Sequence, residues 1–184
     1  MCQIVYLTSR CFDTPSREFK QALAEELRKR KVSVVTDTTC GIKRFFRSRH
    51  TYGMAIAIDF FRDGSSGCGL TLNQQCSFIS RDFAYSVSNI LDKLTPRIRW
   101  RDFKFVDSND KIWKLFFDKI NSETKAIFYL CTYNNSVEYD AFMAKFDLIV
   151  KAFADEIIRC LRSNYDVEDY QKRVRMAKLK LRNK

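Results

Sequence analysis

The run Met54 to Phe61 (MAIAIDFF) is apolar at every position except Asp59. A strand with one wet face alternates apolar and polar residues, so an unbroken apolar run of this length predicts a central strand covered on both faces. Gln3 to Thr8, Val32 to Thr36 and Ala126 to Thr132 (AIFYLCT) read as further buried strands. Between the first two of these, Thr14-Pro15-Ser16 opens a helix in which Phe19, Ala22, Leu23 and Leu27 follow the helical period. Glu25, Glu26, Arg28, Lys29 and Arg30 cover its wet face. A strand, helix, strand start predicts two parallel strands joined by a crossover helix.

The remaining elements fit the same class. Asp63-Gly64-Ser65-Ser66-Gly67 is a turn, and Cys68 to Asn73 (CGLTLN) reads as the strand adjoining Met54–Phe61. Ser80 to Leu94 is a helix capped by Ser80 and stopped by Pro96, with a stripe of Phe83, Val87, Ile90, Leu91 and Leu94. Arg97 to Val106 alternates basic and apolar residues, as an edge strand with a cationic face would. Asp107 to Asp110 leads into a short helix carrying Trp113, Phe116, Phe117 and Ile120. Val137 to Leu161 predicts one long helix with the stripe Phe142, Phe146, Ile149, Val150, Phe153, Ile157 and Leu161. Ser163-Asn164 interrupts it, and Val167, Tyr170, Val174, Ala177 and Leu181 mark a last amphipathic helix. The expectation is a single-domain α/β fold with a mixed, mostly parallel sheet flanked by helices over residues 1–163. A basic C-terminal helix follows over 164–184.

Composition narrows the function. The 184 residues suit one domain, and an apolar fraction of 46% with 16 Phe supplies a core. Seven cysteines, odd in number and irregular in spacing, contain no C-x-x-C pair. A disulfide framework is therefore disfavoured, and the reading is a cytoplasmic, reducing setting. The first residues read as a strand rather than a signal peptide, and no run reaches the ~18 apolar residues of a membrane span.

The formal charge is +11, and it is unevenly placed: Lys172 to Lys184 holds seven Lys/Arg and no acid, against 26 Lys/Arg and 22 Asp/Glu elsewhere. Three basic groups result. The first is Lys43, Arg44, Arg47 and Arg49, interleaved with Phe45 and Phe46. The second is Arg97, Arg99, Arg101 and Lys104, around Trp100 and Phe103. The third is the tail, with Lys172, Arg173, Arg175, Lys178, Lys180 and Arg182. The tail suits either a solubilising helix face or a contact with a polyanion. Cations beside aromatics bind phosphates and stack bases, which makes nucleic acid or an acidic protein surface the expected partner. No motif of a named nucleic-acid module occurs, so base-specific recognition is not expected.

His50 is the single histidine, so a multi-histidine metal site is excluded, and its setting among Arg47, Arg49 and Tyr52 suits a surface residue. Cys68, between two glycines, could act as an exposed nucleophile, but no second motif supplies a base, and a structural thiol is the better reading. Asp59 is the most unusual polar residue. It is paired with an arginine, hydrogen-bonded at a strand end, or left over from a site, the structural options being favoured. Gly64 to Gly69 lacks the Gly-Lys-Ser/Thr ending of a phosphate loop. No catalytic residue, metal ligand or cofactor is assigned.

Over residues 3–161 the order of elements resembles the zinc-dependent N-acetylmuramoyl-L-alanine amidases of bacterial wall hydrolases and phage endolysins. The likeness runs through the start ending in Val34-Val35-Thr36-Asp37, through MAIAIDFF with GSSGCGLTLN, and through IFYLCTYNNSVEYDAF. It implies an amidase-like fold, and for the family a zinc ion held by two His and a Glu with an open position for water. Against that pattern the first strand ends in Leu7-Thr8-Ser9-Arg10 without a histidine. Asp59 stands at the place of the second His, Cys131 at that of the catalytic Glu, and only Asp13 lies near the place of the Glu ligand. What the resemblance implies here is a non-catalytic relative, to which a phage origin and a place in the host cytoplasm would be suited. The functional expectation is thus a non-enzymatic binder of an anionic partner. The alternatives are an adaptor or assembly subunit, which could form a homo-oligomer through its C-terminal helix, and a wall hydrolase with an altered site.

Overall fold

The computed structural model describes residues 4–10, 14–37, 50–60, 67–96, 98, 104–105, 111–130 and 136–162. They form β1 (Ile4–Ser9), α1 (Thr14–Lys29), β2 (Ser33–Thr36), β3 (Thr51–Asp59), β4 (Cys68–Leu72), α2 (Phe78–Leu94), β5 (Lys104–Phe105), α3 (Lys111–Lys119), β6 (Asn121–Leu130), α4 (Ser136–Met143) and α5 (Phe146–Arg162). The sheet has six strands in the order β2-β1-β3-β6-β4-β5. The first four are parallel, β4 runs antiparallel to β6, and β5 is parallel to β4. This is the mixed, mostly parallel α/β sheet that the apolar runs predict. The last helix expected over 167–181 lies outside the described residues, as does the proposed boundary at 163.

Strand pleating explains the two cores. Along β3, Met54, Ile56 and Ile58 point to one face, where they join Val5 and Leu7 of β1, Leu70 of β4 and Phe128 of β6 beneath α1, α2 and α5. Ala55 and Ala57 point to the other face, with Tyr6, Tyr52 and Ile127. Their small side chains leave room for Trp113, Phe116 and Phe117 of α3. Phe19 of α1 is the hub of the larger core. Its ring lies 5.4–5.9 Å from those of Phe60, Phe128, Phe142, Phe146 and Phe153.

Three local expectations change. β4 does not adjoin β3: β6 lies between them. A strand buried on both faces gains most at the centre of a sheet, and β6 is buried at every described position from Ala126 to Leu130. The cap of α2 is Ser77, whose Oγ accepts the Ser80 N–H at 3.2 Å. Ser80 itself is buried, and its Oγ accepts the backbone N–H of Lys125 at 3.1 Å. Finally, 137–161 is two helices. Lys145 N–H bonds Phe142 O at 3.0 Å, an i→i−3 closure that ends α4, and Ile149 N–H to Lys145 O at 2.9 Å starts α5. The break lets Phe142 and Phe146 both reach Phe19, at 5.9 and 5.7 Å.

The end of α1 carries a conformational cost. Val32 N–H bonds Leu27 O at 3.0 Å and Lys31 N–H bonds Arg28 O at 2.9 Å. This is a Schellman closure, in which Leu27 belongs to the core and the partly buried Val32 packs against it. Lys31 therefore occupies the left-handed position with φ 63°, where glycine is the usual residue. Lys31→Gly is expected to raise stability by about 0.5–1 kcal/mol, after glycine's larger unfolded-state entropy is set against the relieved strain. Chemical denaturation of both chains measures the difference.

Candidate functional site

The strand order reverses between β1 and β3: from β1 the chain goes to β2 on one side, then returns to β3 on the other. In open α/β sheets the crevice outside the carboxyl ends of the strands at such a reversal is where ligands bind. Here it carries side chains of opposite charge. The register Ser9↔Ile58 sets Arg10 beside Asp59. The Arg10 Nε contacts Asp59 Oδ1, and the guanidinium lies 5.7 Å from the centroid of the Trp113 ring. The Trp113 indole N–H donates to Asp59 Oδ2 at 2.6 Å. The Asp59 side chain is 3% exposed and that of Arg10 40%. Burial of the carboxylate is thereby offset by one cation and one neutral donor, each on its own oxygen.

Neighbouring polar groups along the same edge are satisfied in the same way. Thr8 Oγ1 donates to Asp37 Oδ2 at 2.7 Å, and Lys20 Nζ donates to Asp37 Oδ1 at 3.2 Å. Ser16 Oγ accepts the Phe60 N–H at 2.8 Å, which pins the first turn of α1 to the end of β3. Glu138 of α4 accepts the Gly67 N–H at 2.8 Å, and Gly67, at φ 93°, takes a conformation that a side chain would resist.

A zinc site does not fit these residues. Zinc takes lone pairs, whereas Asp59 Oδ2 accepts the Trp113 indole N–H and the Arg10 guanidinium against Oδ1 already supplies the positive charge. His50 precedes β3 at its other end, about 30 Å of strand from Asp59, and its exposed ring packs at 6.4 Å on Tyr52. Among the described residues no group of three or more His, Cys, Asp or Glu is placed to hold a metal ion. Cys131 and Asp13 lie outside the described residues. Cys68 is fully buried in the larger core and makes no exposed nucleophile.

Two further polar clusters serve the fold. Arg159 of α5 donates to Glu156 at 2.7 Å and to Asp82 of α2 at 2.8 Å, and these carboxylates hold its guanidinium above the ordinary arginine range. Lys125 Nζ donates to the carbonyl of Ile120 at 3.0 Å and to that of Phe117, closing the end of α3. Burial pushes its ammonium below the usual lysine range, against the opposing pull of Asp118.

Of the basic residues singled out in the sequence, Lys104 begins β5, the edge strand, in parallel register with Thr71. Lys43, Arg44, Arg47, Arg49, Arg97, Arg99, Arg101, Lys172, Arg173, Arg175, Lys178, Lys180 and Arg182 lie outside the described residues. The sequence reading passed over Arg10 and Trp113. The signal for Arg10 was present: a buried aspartate needs a donor, and Arg10 directly follows the strand parallel to β3.

No family model and no curated protein matches the sequence. Solved structures do. An N-acetylmuramoyl-L-alanine amidase from Clostridium difficile 630 is 13% identical with a TM-score of 0.61, over 89% of this chain and 99% of that one. The amidase AmiC2 of Nostoc punctiforme is 12% identical with a TM-score of 0.57, over 88% and 98%. The CwlD amidase from Clostridioides difficile, in complex with the GerS lipoprotein, is 12% identical with a TM-score of 0.55, over 92% and 98%. The chain thus has the fold of the N-acetylmuramoyl-L-alanine amidases.

Proposed function

We propose that this protein is a non-enzymatic binding protein that uses an amidase-like scaffold to engage an anionic partner, a nucleic acid or an acidic protein surface. The observation that carries the reading is the pairing of Asp59 with Arg10 and Trp113. It places an internal ion pair at the ligand crevice of the fold and occupies that carboxylate, which is then neither open to a metal nor able to act as a base. Function then falls to the surface, where the formal charge of +11 favours polyanions. None of Cys68, Cys76 and Cys160 is in a disulfide, in keeping with a reducing cytoplasm, and no helix among the described residues is long and apolar enough to cross a membrane.

Titration of the full chain with DNA, RNA and heparin across a salt series tests the reading. Affinity is expected to fall steeply with salt, by a slope of about 0.9 per duplex phosphate neutralised. Removing residues 172–184, with their seven cations, is expected to reduce both affinity and slope. Unchanged binding after the truncation would remove the tail from the interface. A second reading, a protein–protein adaptor or assembly subunit, draws on the CwlD amidase, a fold relative solved with a lipoprotein partner. Size-exclusion with light scattering separates the two, since a stable oligomer with no affinity for nucleic acid selects the adaptor.

A further inference from the structure

The opposite edge of the sheet is built differently from the crevice. Ser33 opens β2 beside Ile4 of β1, and Thr51 opens β3 beside Asn121 of β6, so these residues mark the amino ends of the parallel strands. Arg28 and Lys29 end α1, Lys31 lies two residues before β2, and Lys119 ends α3 two residues before β6. Arg30 of the α1 end contacts Asp155, which brings the last turns of α5 to the same edge, where Arg162 ends the helix. Arg28, Lys29, Lys31, Lys119 and Arg162 are all exposed. Of the acids there, Glu26 and Asp155 are engaged by Arg30, while Glu25 and Asp118 are exposed. The cations outnumber them.

Lys31 adds an independent sign. It holds a strained left-handed backbone at φ 63° in a position that glycine fills at lower cost. A side chain carried on a strained backbone at a surface position points to a use for that side chain.

We propose that the amino end of the parallel strands, lined by Arg28, Lys29, Lys31, Lys119 and Arg162, is a sequence-independent binding face for the phosphate backbone of a nucleic acid. This rests on the anionic-partner reading and names the partner and the surface. Protein interfaces are anchored by buried aromatic and apolar side chains. Among the described residues the exposed large hydrophobics are Val35, Tyr85, Ile112, Val137, Met143 and Leu148, and none of these lies in the α1 terminus, in the lead into β6, or at the end of α5. A cationic edge without such an anchor suits phosphates, which require only positive charge and N–H donors.

The test uses the full chain with a duplex DNA of about 20 base pairs, a single-stranded RNA of similar length, and polyglutamate, across about 50 to 200 mM salt. Two triple variants remove the same charge. One is Arg28→Gln/Lys29→Gln/Lys31→Asn, in which asparagine tolerates the left-handed backbone. The other is Lys93→Gln/Lys111→Gln/Lys145→Gln, exposed cations away from that edge. The first is expected to weaken nucleic-acid binding by at least about tenfold and to lower the salt slope by about 2 to 3, with less than about threefold loss for the second. Lys31→Gly is expected to raise Tm by about 1–4 °C and yet lose affinity, a split that a purely structural lysine would not give. Equal losses in the two triple variants would overturn the proposal, as would wild-type binding to polyglutamate and to neither nucleic acid. Failure of the wild-type chain to bind any of the three probes would instead bring down the anionic-partner reading itself.

Discussion

Replacing Arg10 by methionine is expected to lower stability by about 3 kcal/mol, and adding Asp59→Asn to that variant is expected to restore most of the loss. The single change leaves a carboxylate that is 3% exposed with the Trp113 indole as its named donor and no guanidinium against Oδ1. Removing one partner of a buried pair costs about 3–5 kcal/mol, and the 40% exposure of the Arg10 side chain puts this pair at the lower end. Asparagine in place of Asp59 removes the stranded charge and keeps an acceptor for the indole N–H. Urea denaturation of the two single variants and the double variant gives the coupling directly. Simple additivity of the two losses would show that the pair does not hold this edge together.

The second large effect lies in the core. Phe19→Ala is expected to cost about 3–5 kcal/mol, the range for deleting a buried aromatic ring. Phe19 is fully buried and meets one ring just after β3, one from β6, one from α4 and two from α5. Those five rings come from four separate stretches of chain and converge on this one side chain, so the cavity cannot close by a single local shift. A loss below about 1 kcal/mol in denaturant unfolding would mean that the aromatic cluster repacks freely, contrary to this arrangement.

Much of the fold was legible because apolar runs and helical stripes are local signals. MAIAIDFF reads as a doubly covered strand from its own residues, and Phe19, Leu23 and Leu27 read as a buried stripe from their spacing. What was not legible depended on partners distant in sequence. Nothing in CGLTLN reveals that β6 separates it from β3, because strand order is decided by which strand gains most from central burial. No glycine or proline marks the break at Ala144 and Lys145, which exists so that Phe142 and Phe146 can both reach Phe19. Ser80 has the composition of a cap but lies a turn inside α2, where its hydroxyl serves β6. At the crevice, Asp59 was conspicuous by composition, and pairing with an arginine was among its expected roles. The partner Arg10 required the β1–β3 register, and Trp113 required the seating of α3 on the second face.

Among the described residues, the crevice carries the Arg10–Asp59 ion pair, with Trp113 on the second carboxylate oxygen. Elemental analysis of the full-length chain, purified without chelator, tests this most directly. The ion pair of Arg10 and Asp59 leads us to expect no stoichiometric zinc and a Tm unchanged by chelator. One tightly held zinc per chain, with a fall in Tm on its removal, would contradict it.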